Sequence, residues 1–180
     1  MQKIVIIFLV VLLSFEVNAQ PPLIKFRDKK NIAGTIAVHL PVGDFSKTHF
    51  GGISLEAARV RYQAINYRLY KLHFTYEGGV AYYFGKKETV SGYPYKYPGY
   101  FFIHGFAGGY WVPRQRIGLA LTAGPGLGIY NGNTRFAIGA KLDGTFLIDQ
   151  KHGVGPRIML MKESGVDAIW TAGVKFTKLF

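Results

Sequence analysis

The sequence predicts an all-β chain that closes as an eight-stranded antiparallel up-and-down transmembrane β-barrel. Three observations carry that prediction. Apolar and polar residues alternate with a period of two over long stretches, the stretches so marked number eight, and the face opposite the apolar one is built from small and charged residues. An even strand number is what an up-and-down barrel needs to close, and small residues suit a narrow interior that side chains just fill.

The chain begins with an export signal. Met1-Gln2-Lys3 is a short positive start, Ile4 to Leu13 is an unbroken apolar run, and Val17-Asn18-Ala19 before Gln20 has the small residues of a cleavage site. The run is about half of the ~20 residues a membrane-spanning helix needs, so residues 1–19 are predicted as a cleaved signal peptide. Residues 20–31, with Pro21-Pro22 and Arg27-Asp28-Lys29-Lys30, read as a polar leader, and residues 32–180 as the barrel domain.

Alternation then marks the strands in turn. Along 69–84, Leu72, Phe74, Tyr76, Val80, Tyr82 and Phe84 share one face, opposite Lys71, His73, Thr75 and Glu77. Along 134–149, Phe136, Ile138, Ala140, Leu142, Phe146 and Ile148 oppose Arg135, Lys141, Asp143, Thr145 and Asp149. The last strand, 166–180, sets Trp170, Val174, Phe176 and Phe180 against Asp167, Thr171, Lys175 and Thr177. The same rule gives 32–40, 51–61, 100–112, 116–130 and 153–162. Links alternate in character: 41–50 and 85–99 are long, whereas 113–115 and 150–152 are short, although 131–133 and 163–165 are tight on the nominally long side. One segment reads two ways. Leu55, Ala58, Tyr62, Ile65, Leu69 and Leu72 make a helical stripe, yet Ile53, Leu55 and Ala57 also alternate with Ser54 and Glu56. Two strands with a turn near 63–67 are preferred, because a helix there leaves an odd strand number.

The identity of the second face bears on which way the strands look. In 116–130 it is Gly118, Ala120, Thr122, Gly124, Gly126 and Gly128, where a water-facing sheet would more often carry Lys, Glu and Thr. The interior is therefore expected to hold a polar network of Glu56, His73, Glu77, Lys141, Asp143, Arg157, Asp167 and Lys175, pairing opposite charges across a narrow lumen. Aromatics near strand ends, namely Tyr82, Tyr83, Phe84, Phe101, Tyr110, Trp111, Tyr130, Phe176 and Phe180, fall where interfacial girdles belong.

Composition excludes several classes. Of 180 residues 49% are hydrophobic and only 18% charged, too apolar for a disordered chain. The absence of Cys rules out disulfide scaffolds, thiol nucleophiles and a Cys-linked lipid anchor. The net charge of +12 is spread along the chain rather than gathered in a block, and export makes nucleic acid the least fitting anionic partner.

The closing strand Trp170 to Phe180, with its final aromatic, resembles the carboxy-terminal signal of bacterial outer-membrane proteins. The fragments Pro41-Val42-Gly43-Asp44-Phe45, Tyr82-Tyr83-Phe84-Gly85-Lys86-Lys87 and Ala123-Gly124-Pro125-Gly126-Leu127-Gly128 resemble recurring pieces of the small outer-membrane β-barrel domain proteins common in Bacteroidota, OmpA/OmpX-like eight-stranded barrels mostly without assigned activity. The resemblance implies a location in the cell outer membrane. It also implies insertion by the barrel-assembly machinery and contact with outer-membrane lipids and lipopolysaccharide.

Candidate chemistry is sparse. Asp44, Ser46 and His49 offer an acid, a nucleophile and a base within six residues, but turn chemistry accounts for them equally well. His39, His49, His73, His104 and His152 show no metal-ligand spacing, and no cofactor or metal is implied. Gly124-Pro125-Gly126-Leu127-Gly128 lacks the Gly-Lys-Ser/Thr ending of a phosphate loop. Tyr93, Tyr95, Lys96 and Tyr97, in a Pro-stiffened loop, are the candidate contact for a protein or glycan at the surface, since Tyr offers a flat apolar face and a polar tip; Lys86, Lys87 and Lys96 suit lipopolysaccharide phosphates. The expected function is non-enzymatic: a structural, surface-interaction or envelope-machine accessory role. Its rivals are a membrane-embedded lipid-modifying hydrolase or acyltransferase, which needs acid, base and nucleophile gathered at one rim, and a soluble lipocalin-like barrel, which needs apolar faces turned inward.

Overall fold

The computed structural model describes residues 31–67, 70–90, 92–114, 116–149 and 151–180. The predicted signal peptide and, apart from Asn31, the leader lie outside them.

Eight long strands close into one antiparallel barrel: β1 (Asn31–Val42), β2 (His49–Tyr67), β3 (Tyr70–Gly85), then β6 (Tyr100–Arg114), β7 (Ile117–Tyr130), β8 (Asn133–Leu147), β9 (His152–Glu163) and β10 (Ile169–Leu179). Each pairs with its neighbour in the chain's order, and β1 pairs with β10, from Ala33 opposite Leu179 to Val42 opposite Trp170, which removes both free edges. The two remaining strands, β4 (Lys87–Val90) and β5 (Tyr93–Lys96), form a separate hairpin between β3 and β6. The only helical turn among the described residues, α1 (Phe45–Thr48), joins β1 to β2, and no described helix is long and apolar enough to cross a membrane.

The described residues of the ambiguous segment are strand: β2 runs on past its predicted end at 61 to Tyr67, with Ile65 opposite Leu72 and Tyr67 opposite Tyr70, after a register shift between Arg61 and Ile65. Leu55 and Ala58, neighbours on the helical stripe, consequently look to opposite sides of the wall. Residues 63–67, where the sequence suggests a turn, belong to β2.

The alternation is resolved in favour of apolar outside. Ile36, Val38, Leu40, Ile53, Leu55, Phe74, Leu121, Phe136 and Ile138 are exposed on the outer wall, while Thr35, Ser54, Glu56, Thr75, Thr122 and Lys141 are buried within. This is the reverse of what a soluble barrel around an apolar ligand requires. Glycine on the inner face is a steric necessity at close quarters: a Cβ on Gly124 would meet the backbone of Gly105, and one on Gly139 the ring of Phe106. Three of the aromatics assigned to girdles belong elsewhere, Tyr130 among them at the wall of the loop-end cavity. Tyr83 is fully buried in the lumen, and Tyr110 lines a small lumenal cavity, because both share the inward parity of their strands. With Tyr100, Phe102, Phe106, Met159 and Met161, Tyr83 forms a cluster that fills the lumen on the side of the long loops.

Candidate functional site

Three features stand out in the barrel: a charge-filled waist, a cavity at the loop end, and the β4–β5 hairpin.

At the waist, six ionisable side chains from five strands meet. Arg157 of β9 spans two carboxylates: Nη1 and Nη2 donate to Glu56 Oε1 and Oε2 at 2.5 and 2.8 Å, and Nε and Nη2 donate to Asp143 Oδ1 and Oδ2 at 2.7 and 2.9 Å. Lys141 lies 2.6 Å from Glu56 and 2.7 Å from Glu77, and Lys175 donates to Asp143 at 3.1 Å. Thr122 donates to Glu77 at 2.7 Å, and the His39 ring meets Ser54 Oγ at 2.9 Å. Three carboxylates thus face three cations, the arrangement that makes buried charge tolerable. Glu56, Glu77 and His104 also lie close enough together to suggest a metal site, but the Lys141 ammonium already occupies the position between the two carboxylates.

Of the residues assigned to this network from sequence, Glu56, Glu77, Lys141, Asp143, Arg157 and Lys175 meet here, and His73 is buried on the inner face. Asp167 does not join them. Strand β10 starts at Ile169, so Asp167 stands exposed on the β9–β10 loop. Ser54, Thr122 and His39 also join the network; Thr122 has the inward parity that the sequence assigns to it, and Ser54 shares the parity of Glu56, two residues away.

The loop end opens into a cavity of about 400 Å³. Phe45, Tyr100, Tyr130 and Ile169 supply apolar walls, and Arg135 and Glu163 polar ones. Tyr100 donates its hydroxyl to Glu163 Oε1 at 2.6 Å, both residues being buried. Phe45 of α1 packs edge-on to Tyr83 and Tyr100, with ring centroids at 5.3 and 5.7 Å, and so roofs the lumenal cluster.

The proposed acid, nucleophile and base are not assembled in this roof. Ser46 Oγ donates to Gly43 O at 2.6 Å, Asp44 pairs with Lys47 at 2.6 Å, and His49 Nδ1 meets Thr48 Oγ1 at 2.9 Å. These are the contacts of a turn. Among the described residues no carboxylate is bonded to the His49 ring. The hydrogen bond and positive charge of Lys47 hold the Asp44 carboxyl below its ordinary value. At the opposite end, the Asp149 carboxyl accepts from the His152 ring and from the backbone N–H groups of Lys151 and His152, which lowers it to about 2.

The hairpin is the main element that sequence reasoning did not foresee. Its signal was present in Ser91-Gly92 between two short runs, Gly92 taking a φ of +85° that favours glycine at a two-residue turn. Every side chain of β5 is exposed, Tyr93 by 77%. Opposed residues share a face, so Tyr93 and the pair Glu88–Tyr95 lie on one side and Lys87–Lys96 on the other. Tyr95 packs edge-on to Tyr97 at 5.0 Å. Tyr93 and Tyr95 therefore do not form one patch with Lys96.

No family model matches the chain, and no curated protein is similar to it in sequence. Solved structures do resemble it. The crystal structure of Ail, the attachment invasion locus protein of Yersinia pestis, is 11% identical, with 82% of this chain and 97% of that one covered and a TM-score of 0.51. The same protein in a phospholipid bilayer nanodisc gives 12%, 84%, 100% and 0.54. The outer membrane enzyme PagL gives 12% identity, 81% and 98% coverage, and a TM-score of 0.54. The fold is that of the small outer-membrane β-barrels. At such identities the likeness extends to the fold alone, and it spans nearly the whole of each neighbour. Ail has also been solved with the heparin analogue sucrose octasulfate.

Proposed function

We propose that the chain is exported, inserted into a bacterial outer membrane with its long loops outward, and acts there without catalysis by binding a carbohydrate or protein surface through the tyrosine face of the β4–β5 hairpin. The observation that carries this reading is the hairpin itself: Tyr93 and Tyr95 share one of its faces, exposed, on the side opposite Lys87 and Lys96. Such rings stack on sugars and protein surfaces at low cost in side-chain entropy. The apolar outer wall supports the membrane location, and the charge-filled waist argues against conduction. That Ail binds a heparin analogue makes a sulfated glycan one reasonable probe. The enzyme reading, which PagL keeps open for this fold, lacks a nucleophile seated on an oriented base in the loops described above.

The test has two stages. Cells producing the full chain are fractionated, and the outer-membrane fraction is run unboiled and boiled; a band that shifts on boiling is expected. The same cells are then applied to immobilised heparin, chitosan and dextran beside cells carrying Tyr93→Ser, Tyr95→Ser and Tyr97→Ser together. Retention on one of these surfaces, reduced roughly tenfold by the triple variant while the heat shift persists, is the expected result, in line with the weight of aromatic anchors at interfaces. Retention that the variant leaves unchanged removes the hairpin from the contact.

A further inference from the structure

The opposite face of the same hairpin overlooks a second site. Between it and the outer barrel wall lies a cleft of about 500 Å³ floored by Phe50, Tyr82 and Phe84 and bordered by Lys87 and Lys96. The floor is aromatic and outward-facing: Phe50 stacks on Phe84 at 5.7 Å, and Tyr82 meets Phe84 edge-on at 5.1 Å. The hairpin base is fastened over it by Tyr97 N–H donating to Lys86 O, Lys86 N–H donating to Thr48 O, and the Lys86 ammonium donating to Ser46 O. Two glycines let it sit so close, since a Cβ on Gly85 would strike the Tyr97 carbonyl and one on Gly99 the Tyr82 ring.

We infer that this cleft holds a phosphorylated lipid, its phosphate between Lys87 and Lys96 and an acyl chain along Phe50, Tyr82 and Phe84. Lys87 and Lys96 are direct cross-strand partners in β4–β5, and like charges placed opposite each other destabilise a two-stranded sheet unless an anion lies between them. The carboxylate of this hairpin, Glu88, sits on the other face and takes its hydrogen bond from the Tyr97 hydroxyl at 3.4 Å. Lys86 is already engaged with Ser46. The two remaining ammonium groups are thus left for a ligand, and a phosphate is the anion whose several oxygens serve two lysines at once. The floor selects the source. Phe50, Tyr82 and Phe84 belong to the lipid-facing wall of β2 and β3, so a free phosphate would leave the aromatics uncovered, whereas an amphiphile covers floor and border together. With the loops outward, the lipid is a phosphorylated glycolipid of the outer leaflet. The inference rests on the membrane reading above.

The full chain, extracted from the outer membrane in mild detergent and shown to shift on boiling, is mixed with lipid A, with dephosphorylated lipid A or with inorganic phosphate, and bound species are counted by native mass spectrometry. One retained lipid A is expected, with roughly tenfold less of the dephosphorylated form, as suits the loss of charge-assisted hydrogen bonds. Lys87→Gln with Lys96→Gln should reduce lipid A to that lower level, and Lys151→Gln with Lys178→Gln, at the other end of the barrel, should leave it unchanged. Equal retention of the two lipids, or undiminished retention by the hairpin variant, overturns the site. Displacement of lipid A by an equal concentration of inorganic phosphate would identify an anion site with no lipid component and overturn it as well. A chain that neither reaches the membrane nor shifts on boiling brings down the membrane reading and the cleft together. One that inserts normally yet shows no lipid preference loses the cleft alone.

Discussion

Two ion pairs of the same length separate the waist of the barrel from its loop end. Lys141 lies 2.6 Å from Glu56, and Lys47 lies 2.6 Å from Asp44, but the first pair is 1% and 2% exposed and the second 77% and 76%. Geometry alone would rate them equal. What differs is the number of further charges each answers to and the water around them. Glu56 is also gripped by Arg157, which is itself bound to Asp143, so removing one member of that group strands the others; Lys47 has only Asp44 and solvent. The waist charges hold one another in place across the lumen, whereas the pair at the loop end answers mainly to solvent.

The largest expected effect follows from that difference. Glu56→Ala leaves Arg157 and Lys141 facing each other with less counter-charge in a lumen that water hardly enters, and should lower unfolding free energy by about 3–5 kcal/mol. Urea titration of the protein in lipid vesicles, followed by loss of the unboiled band position, measures it. A change under ~1 kcal/mol, the size expected of an exposed pair, would erase the distinction between the two regions.

An intermediate case lies on the boundary. Tyr100 and Glu163 are buried like the waist but stand at the cavity, joined by one hydrogen bond of 2.6 Å. Tyr100→Phe keeps the ring stacked on Phe102 while leaving the carboxyl without that donor, at a cost of about 1–3 kcal/mol in the same titration. If the loss matched that of Glu56→Ala, the cavity floor would belong energetically to the waist.

The waist was largely legible in the sequence, and the loop end was not. Period two fixes the faces of strands, so Glu56, Lys141, Asp143 and Arg157 announced a shared interior once eight strands were counted. The cluster of Tyr83, Phe102, Phe106 and Met161 was hidden because aromatics on an inward face beside apolar ones on the outward face produce no alternation in hydropathy. Asp167 was misplaced by a strand start three residues too early, the kind of boundary that periodicity defines least well. The β4–β5 hairpin escaped because four-residue strands are too short to show a period, and only pairing reveals that Tyr95 and Lys96 point to opposite sides. Side-chain roles at the loop end depend on which residues the turns bring together, and that is tertiary information.

The smallest effect tests the exposed member of the opening pair. Lys47→Ala removes the hydrogen bond and charge that lower the Asp44 carboxyl, so its titration, followed by NMR of the side-chain carboxyl carbon, should rise toward the ordinary 3.8. The sign follows from linkage. A carboxyl lowered by folding contributes stability above its unfolded value, and that contribution fades as the pH falls through the folded one. The urea midpoint of Lys47→Ala should therefore fall at pH 7, but only slightly because the pair is fully solvated, and the gap from wild type should close as the pH drops through the folded value. A midpoint that fell at pH 7 as far as that of Glu56→Ala would mean that α1 and its Phe45 roof depend on the pair, and the loop end would then be held by charge as the waist is.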